Sequence, residues 1–593
     1  MKNRRLVSAL ALCVMLVMVI TATSAPVASA ASQQAIYTGP RLAAEPEGAR
    51  PSLEDINHAN NLPISDGSLT LTIFQSLTST VTSLDMGKNQ FTDILSKATG
   101  INLQFVTAPA SDATTKLNLL LSSGDYPDII SNNILGLNGM ALYASQGVFV
   151  PLDAYIDKWG VNTKAVLERY PGVRALITAS DGMIYSLPNI NDCYHCLRGE
   201  GRNWYYRPWI DSLNGGKIPQ TAAEFEDYLI KIRDGDPNGN GKKDEVPLAF
   251  RKDDIWFAIN WAANFFQKFP AKGWANVDGK ITPLYVDEQF RQTLKWLNEL
   301  YSQGLILKDA FSITGDDLIA IGEDPAGATL GNIVGWGPEA GTKKAGDSKR
   351  WFEYFVMPPV AGPAGERNTV FNPNSVYGNG WFVTDKCQDP EAATRLGDVL
   401  LDEYYGYSSY IGPEGQSWTY ASPGDIALNG KPAVFKELVT YGAQPENCSW
   451  DQTNITFRPD NFRLSQYAEG VDTIYKYFDN PFDAGLRDQA AALPSYNEIM
   501  KYYGSQKSLS PYQIDAKYVI PPLLYSDADA SEVADIEAVI DPYLLQMFAA
   551  FVTGQENLDA GFDKYVSDLN QMGLDRLTAA KQRAYDAYAA SIN

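Results

Sequence analysis

The chain is predicted to be an α/β protein folded into at least two lobes, with a helical C-terminal region. Three observations carry that expectation. Strand-like and helix-like segments alternate from residue 68 onward, the pattern of a mostly parallel sheet. The 593 residues are too many for one hydrophobic core. From Leu544 onward, apolar residues recur at helical spacing.

The elements follow in order. Lys2, Arg4 and Arg5 precede an apolar run from Leu6 to Ile20, and Ala28-Ser29-Ala30 offers a small-residue cleavage site. Residues 1–30 therefore read as a secretory signal peptide cut near Ala30, and the mature protein is expected at the extracellular face of the cell envelope. Residues 31–62 are rich in Ala, Pro, Gly, Asn and Ser and read as a flexible leader. Alternation over 68–74 predicts the first strand, 90–97 a helix, 101–107 a strand and 113–122 a second helix. Gly554 is placed to end the apolar helix that contains Leu544 to Phe551, and 559–572 and 579–591 resume helical patterns.

Charge and cysteine content bound the function. Removing residues 1–30 takes away three basic residues and no acidic ones, which moves the formal charge from −22 to about −25. Such a chain is a poor partner for nucleic acid or an anionic membrane. Cys193, Cys196, Cys387 and Cys448 remain. Cys193-Tyr194-His195-Cys196 is a C-x-x-C, which in a secreted chain reads as a local disulfide. Free thiols and a metal or redox site are the alternatives. Sequence leaves the state of Cys387 and Cys448 open.

The segment Asp236-Pro237-Asn238-Gly239-Asn240-Gly241-Lys242-Lys243-Asp244-Glu245 places oxygen-bearing side chains on alternate residues of a Gly-rich turn. Ca2+ takes about 6–8 oxygen ligands. Asp236, Asn238 and Asn240 hold the first, third and fifth positions of an EF-hand-like loop. Gly241 supplies the sharp turn, Lys242 offers its backbone carbonyl, and Asp244 and Glu245 close the shell. The twelfth position, where an EF-hand has its bidentate Glu, is Pro247. A structural calcium staple is therefore expected rather than a sensor, with a metal-free Asn/Gly/Asp turn as the alternative. The loop should follow a helix, because Thr221 and Glu224 form a capping box and Phe225, Tyr228, Leu229 and Ile232 share one face. It should lead into an extended segment at 246–250.

Several motifs resemble one family. These are Gly124-Asp125-Tyr126-Pro127-Asp128-Ile129, Asp181-Gly182-Met183-Ile184-Tyr185 with Pro188, Asn191 to Cys196, and Trp204-Tyr205-Tyr206-Arg207 with Asp211. The 236–245 loop and the tail Phe551-Val552-Thr553-Gly554, Tyr565-Val566 and Met572-Gly573-Leu574 complete the set. Together they are similar to the extracellular solute-binding proteins of ABC importers, in particular the large carbohydrate-binding type related to alginate-oligosaccharide binders. Met183 departs from the Lys usual in the second motif.

The resemblance implies a two-lobe periplasmic-binding-protein-like fold of type II, with discontinuous lobes joined by a hinge. Lobe one is expected at 63–186 and 368–420, and lobe two at 187–367 and 421–593. It implies a monomer that captures an oligosaccharide in the interlobe cleft and delivers it to an ABC permease, without catalysis. A sugar needs an aromatic ring against its C–H face and polar side chains around its hydroxyl rim. Candidates are Trp204, Tyr206, Trp256, Trp261, Trp336, Trp418 and Tyr420, with Gln75 at the end of the first strand. Core packing is the competing reading for each aromatic. The alternatives to a binding protein are a secreted glycosidase or lyase, for which no catalytic motif stands out, and a peptide-binding or adhesion module.

Overall fold

The computed structural model describes residues 52–592 apart from 78–84, 132–133, 345, 374–376, 441, 452–456, 459–461 and 481–482. The signal peptide and most of the leader lie outside the described residues. Among the described residues the strands are β1 (Thr70–Leu77), β2 (Asn102–Pro109), β3 (Ile129–Ser131), β4 (Leu187–Asn191), β5 (Asn203–Tyr206), β6 (Trp274–Val277), β7 (Lys280–Pro283), β8 (Asn332–Val334), β9 (Tyr354–Val356), β10 (Tyr377–Val383), β11 (Trp418–Tyr420), β12 (Phe435–Glu437) and β13 (Phe457–Arg458).

Two sheets organise two bodies. The first body holds a six-stranded sheet in the order β13-β4-β10-β3-β1-β2. β1 runs parallel to β2, with Thr70 opposite Asn102 and Leu77 opposite Pro109, and parallel to β3. β10 runs antiparallel to both β3 and β4, so the sheet is mixed. Leu71 and Ile73 on one face of β1 pack in a core with Phe91, Leu95, Ile129, Leu187 and Trp381. Phe74 points to the other face and packs with Leu117, Ile130, Phe149 and Phe382. Alternating side chains thus feed two hydrophobic layers, one on each side of the sheet.

The second body is built on the three-stranded sheet β8-β5-β9 and a large core that includes Trp204, Phe225, Ile259, Leu297 and Ile333. Its C-terminal part is helical, as expected: Asp527–Thr553, Leu558–Met572 and Leu574–Ile592. Ile536, Ile540, Leu544, Phe548 and Phe551 are buried at spacings of three and four, which gives the first of these helices an inward stripe. Gly554 closes it at φ +75°, a left-handed cap that favours glycine.

The chain passes between the bodies three times, between β4 and β5, between β9 and β10, and after β13. Two expected boundaries are corrected. β11, β12 and β13 belong to the first body, because Trp418, Val434, Phe435, Trp450 and Phe462 sit in its core, so that body continues well past residue 420. The end of the leader is also ordered. Ser52 caps a helix over Leu53–Ala59, and Ile56 is buried against the first body. Tyr405 donates to Asn57 at 2.5 Å and Asn162 donates to Asn60 at 2.6 Å.

Candidate functional site

The carboxyl ends of β1, β3, β4 and β13 lie along one edge of the first sheet, the edge at which open α/β sheets present ligand-binding loops. Gln75 sits there, fully buried, with neither side-chain amide atom bonded within the chain. Ser131 Oγ and Asn191 Oδ1 are likewise buried without a partner. Further groups come from the connection between β4 and β5 and from the helix Tyr496–Tyr503 of the second body. His195 Nε2, Arg202 Nε, Asn497 Oδ1 and Glu498 Oε2 are buried in the same condition. A buried polar group left unpaired costs about 1–3 kcal/mol, so native chains seldom assemble several at one place.

A buried salt bridge ties the bodies together at this seam. Arg463, beside the first core, donates from Nη1 to Glu498 Oε1 at 2.5 Å, with both side chains buried. Arg463 also donates to the hydroxyl of Tyr410, and Asn497 Nδ2 donates to the same Glu498 oxygen at 3.1 Å. Burial drives the Lys501 ammonium down to about 7, Lys344 adds to the shift, and Glu498 and Glu339 oppose it. Burial pushes the Glu437 carboxyl up to about 8, reinforced by Glu498 and opposed by Arg463. Glu339 behaves differently. Burial pushes its carboxyl up, but Lys344 and Lys501, with the Trp351 indole N–H, prevail and hold it at about 2. Burial, followed by Lys501, Arg463, Arg202 and Arg458, holds His195 far below its ordinary value, in the neutral form.

Trp336 stands over this seam, half-buried, in the tight turn between β8 and the short helix Pro338–Ala340. Its ring lies 6.0 Å from that of Phe257 and 5.6 Å from the Arg202 guanidinium. Gly199 lies against the indole so closely that a Cβ there would approach its carbons to 2.4 Å. Cys193 and Cys196 form a disulfide beside it, as the C-x-x-C spacing suggests. Both sulfurs are thereby used, which leaves no thiolate pair for a metal. Cys387 and Cys448 are buried thiols.

Of the eight residues expected to contact ligand, Gln75 lies near the carboxyl end of β1 with an unpartnered amide, and Trp336 lies beside Arg202 and the Cys193–Cys196 pair. Trp204 is buried in the second core, with Nε1 donating to the Gly335 carbonyl at 3.2 Å. Trp261 packs against Phe225, Phe265 and Trp296 in the same core. Tyr206 is buried there too and donates to Glu353 at 2.7 Å. Trp418 fills the first core, with Nε1 bonded to the Gly412 carbonyl at 3.0 Å. These four have no face open to a ligand, and the expectation for them is corrected. Trp256 and Tyr420 are half-buried, each packed on a core.

A crevice of about 830 Å³ opens between the bodies, lined by Leu137, Tyr170, Val173 and Leu176 from the first and by Pro522 and Leu524 from the second. Its walls are mostly apolar and provide few partners for hydroxyl groups. The hydrogen-bonding capacity is concentrated instead at the seam.

The 236–245 loop follows the helix Ala222–Asp234, which Thr221 caps by accepting from the Glu224 N–H at 3.2 Å. Asp236 accepts from the backbone N–H groups of Asn240 and Gly241 at 3.0 and 2.9 Å, and Asn240 accepts from the Lys242 N–H at 2.8 Å. The amides of Asn238 and Asn240 reach Asp244 at 3.0–3.2 Å. Gly239 and Gly241 adopt φ +72° and +75°, which lets the loop curl on itself. Both carboxylate oxygens of Glu245 are buried without a well-formed hydrogen bond. Burial raises its pKa, the nearby backbone N–H groups of Glu245 and Asn238 oppose that shift, and Asp244 and Asp236 add to it. A carboxylate turned inward beside two others is suited to a hard cation. The loop also holds its helix to the second sheet, since Asn238 donates to the Ala328 carbonyl at 3.1 Å and Val246 bridges to Leu330.

Comparison with known proteins gives a consistent picture. A family model described as bacterial extracellular solute-binding protein matches residues 85–403, just over half of the chain. The fructooligosaccharide ABC transporter substrate-binding protein FusA of Streptococcus pneumoniae is 26% identical over 548 residues, 88% of this chain and 91% of that protein. The structure of FusA in complex with kestose superposes with a TM-score of 0.72 at 23% identity, covering 88% of this chain and 100% of that one. An EF-hand mutant of FusA in complex with fructo-nystose gives 0.70 at the same identity and coverage. The alginate-binding protein AlgQ2, solved without calcium ion, gives 0.63 at 20% identity, covering 88% of this chain and 99% of its own. The fold is thus the two-lobe arrangement of solute-binding proteins.

Proposed function

The chain belongs to the bacterial extracellular solute-binding protein family, and on that footing we propose that it captures an oligosaccharide between its two lobes and delivers it unchanged to an ABC importer. The observation that carries this reading is the set of buried, unpartnered polar groups on both sides of one seam beneath a half-buried tryptophan. Gln75, Asn191, His195, Arg202 and Glu498 are suited to the hydroxyl rim of a sugar, and Trp336 to its C–H face. Three crossings of the chain serve as a hinge, and bound sugar favours the closed state by its contacts with both lobes. The protein acts as a monomer on the outer face of the cell envelope, and its macromolecular partner is a permease. FusA, named for fructooligosaccharide, makes a neutral oligosaccharide the first class to try.

Ca2+ is part of the proposal as a structural ion. Asp236, Asn238, Asn240, Asp244 and Glu245 would hold it with the Lys242 carbonyl. The ion would neutralise the inward carboxylates and stiffen the junction between the 222–234 helix and the second sheet.

Calorimetry of protein lacking residues 1–30 against neutral and acidic oligosaccharides tests the main reading. Saturable binding is expected, together with no new reducing or unsaturated ends after prolonged incubation. Binding of peptides in place of sugars, or turnover of the glycan, would replace this reading.

A further inference from the structure

We propose that the Cys193–Cys196 disulfide is a positioning brace for the indole of Trp336, so that ligand affinity depends on the bond being intact. The inference rests on Trp336 serving as the sugar platform.

The path from sulfur to indole is short and can be followed atom by atom. The disulfide closes a four-residue loop with His195 inside it. The His195 carbonyl accepts from Arg202 Nη2. The same guanidinium donates from Nη1 to the Trp336 carbonyl at 3.2 Å and lies 5.6 Å from the indole centroid. Arg202 therefore spans from the disulfide loop to the platform and touches its backbone and its ring. Trp336 and Leu197 also pack directly on the buried pair Cys193 and Cys196. On the near side, Gly199 ends the turn Cys196–Arg198 and sets the closest approach of chain to ring.

The segment is anchored away from the ring as well. Arg198 donates to the Tyr194 carbonyl at 2.9 Å and to Gln513 at 2.7 Å, and the Leu197 carbonyl accepts from the Asn372 N–H at 2.8 Å.

A three-residue separation closes so small a loop that the cross-link restricts the unfolded chain little compared with one closing a long loop. Its effect is local, on the direction of the His195 carbonyl. Arg202 is buried, and its Nε already has no partner. If the carbonyl turns away, the guanidinium loses an anchor it cannot replace with water, and the indole loses its support. A platform that must be ordered on binding gives weaker affinity than one already in place.

The experiment combines two readouts. Protein labelled with 5-fluorotryptophan is examined by fluorine NMR, with the Trp336 resonance identified by its loss in Trp336→Phe. The expected result is that this resonance shifts and broadens in Cys193→Ser/Cys196→Ser and after reduction of wild type, while the other tryptophan resonances hold. An unchanged Trp336 resonance overturns the proposal, with or without a known ligand. Kestose affinity is then compared in wild type, the double-serine variant, Trp336→Ala and the combination. Loss of the disulfide should weaken kestose about ten-fold, with little further loss once Trp336 is gone. Gly199→Ala, which crowds the ring at an ordinary φ of −74° with the disulfide intact, should reproduce the affinity loss. A purely structural disulfide would instead add its effect to that of Trp336→Ala. If Trp336→Ala binds kestose normally, the platform reading fails, and the NMR result still decides the brace.

Discussion

Trp336 and Trp418 both sit in Gly-rich sequence, yet one borders the polar seam and the other is enclosed by Tyr404, Tyr407 and Tyr420. Their substitutions should separate cleanly. Trp336→Ala should weaken oligosaccharide binding about thirty-fold, the scale of an aromatic anchor worth about 2 kcal/mol, with the melting temperature nearly unchanged. Trp418→Ala should cost about 3–5 kcal/mol of stability by opening a cavity, measured by denaturant unfolding, while any folded fraction binds normally. The sequence could not distinguish these residues, because an aromatic side chain serves equally well as core or as platform and only burial decides. Arg463, Glu498 and Lys501 escaped notice for a related reason. Asn497, Glu498 and Lys501 lie on the buried helix Tyr496–Tyr503, and nothing local marks the first body as the source of the partner Arg463. The available signal was charge placed beside Tyr496, Ile499 and Met500.

At the level of elements, local chemistry was the most legible. The capping pair Thr221 and Glu224, the glycine stop at Gly554 and the first two strand–helix units were readable because each depends on residues within one or two turns. The 236–245 loop was readable for the same reason, since all its oxygen donors are contiguous. Adding EDTA should lower the melting temperature by the linkage of ion binding to folding, and Asp236→Ala should have the lower melting temperature from the outset and be insensitive to EDTA. Sugar specificity should survive both treatments. An identical melting curve with and without chelator would remove the ion from the account. The short strands β11, β12 and β13 were not assigned from sequence. With two or three residues each they carry no usable alternation, and their pairing depends on contacts far along the chain.

For the whole molecule, the seam makes stability depend on pH in two opposed ways. Glu437 has its native pKa raised from 4.5 to about 8. The native state therefore holds this proton more tightly, and the contribution is complete below about 4.5 and lost as pH rises through about 8. Lys501 has its native pKa lowered from 10.5 to about 7. Its contribution is complete above 10.5 and lost as pH falls through about 7. Glu437→Gln should therefore raise the melting temperature mainly on the alkaline side, and Lys501→Met mainly on the acidic side. Melting curves across the range check both, and a uniform shift at every pH would show that neither titration is at work. The two-lobe plan itself was legible from chain length and strand–helix alternation. The extent of each lobe was not, because the crossing after β13 carries no composition change.

The strand order β13-β4-β10-β3-β1-β2 has a bearing on biogenesis. Residue 70 and residue 458 share one sheet, and the 288–302 helix of the second body packs against the 527–553 helix near the chain's end. Neither half can finish assembling until most of the polypeptide is available. Each body is therefore closed by segments made far apart in the chain, so removing the tail after residue 526 should expose the apolar face of the 288–302 helix.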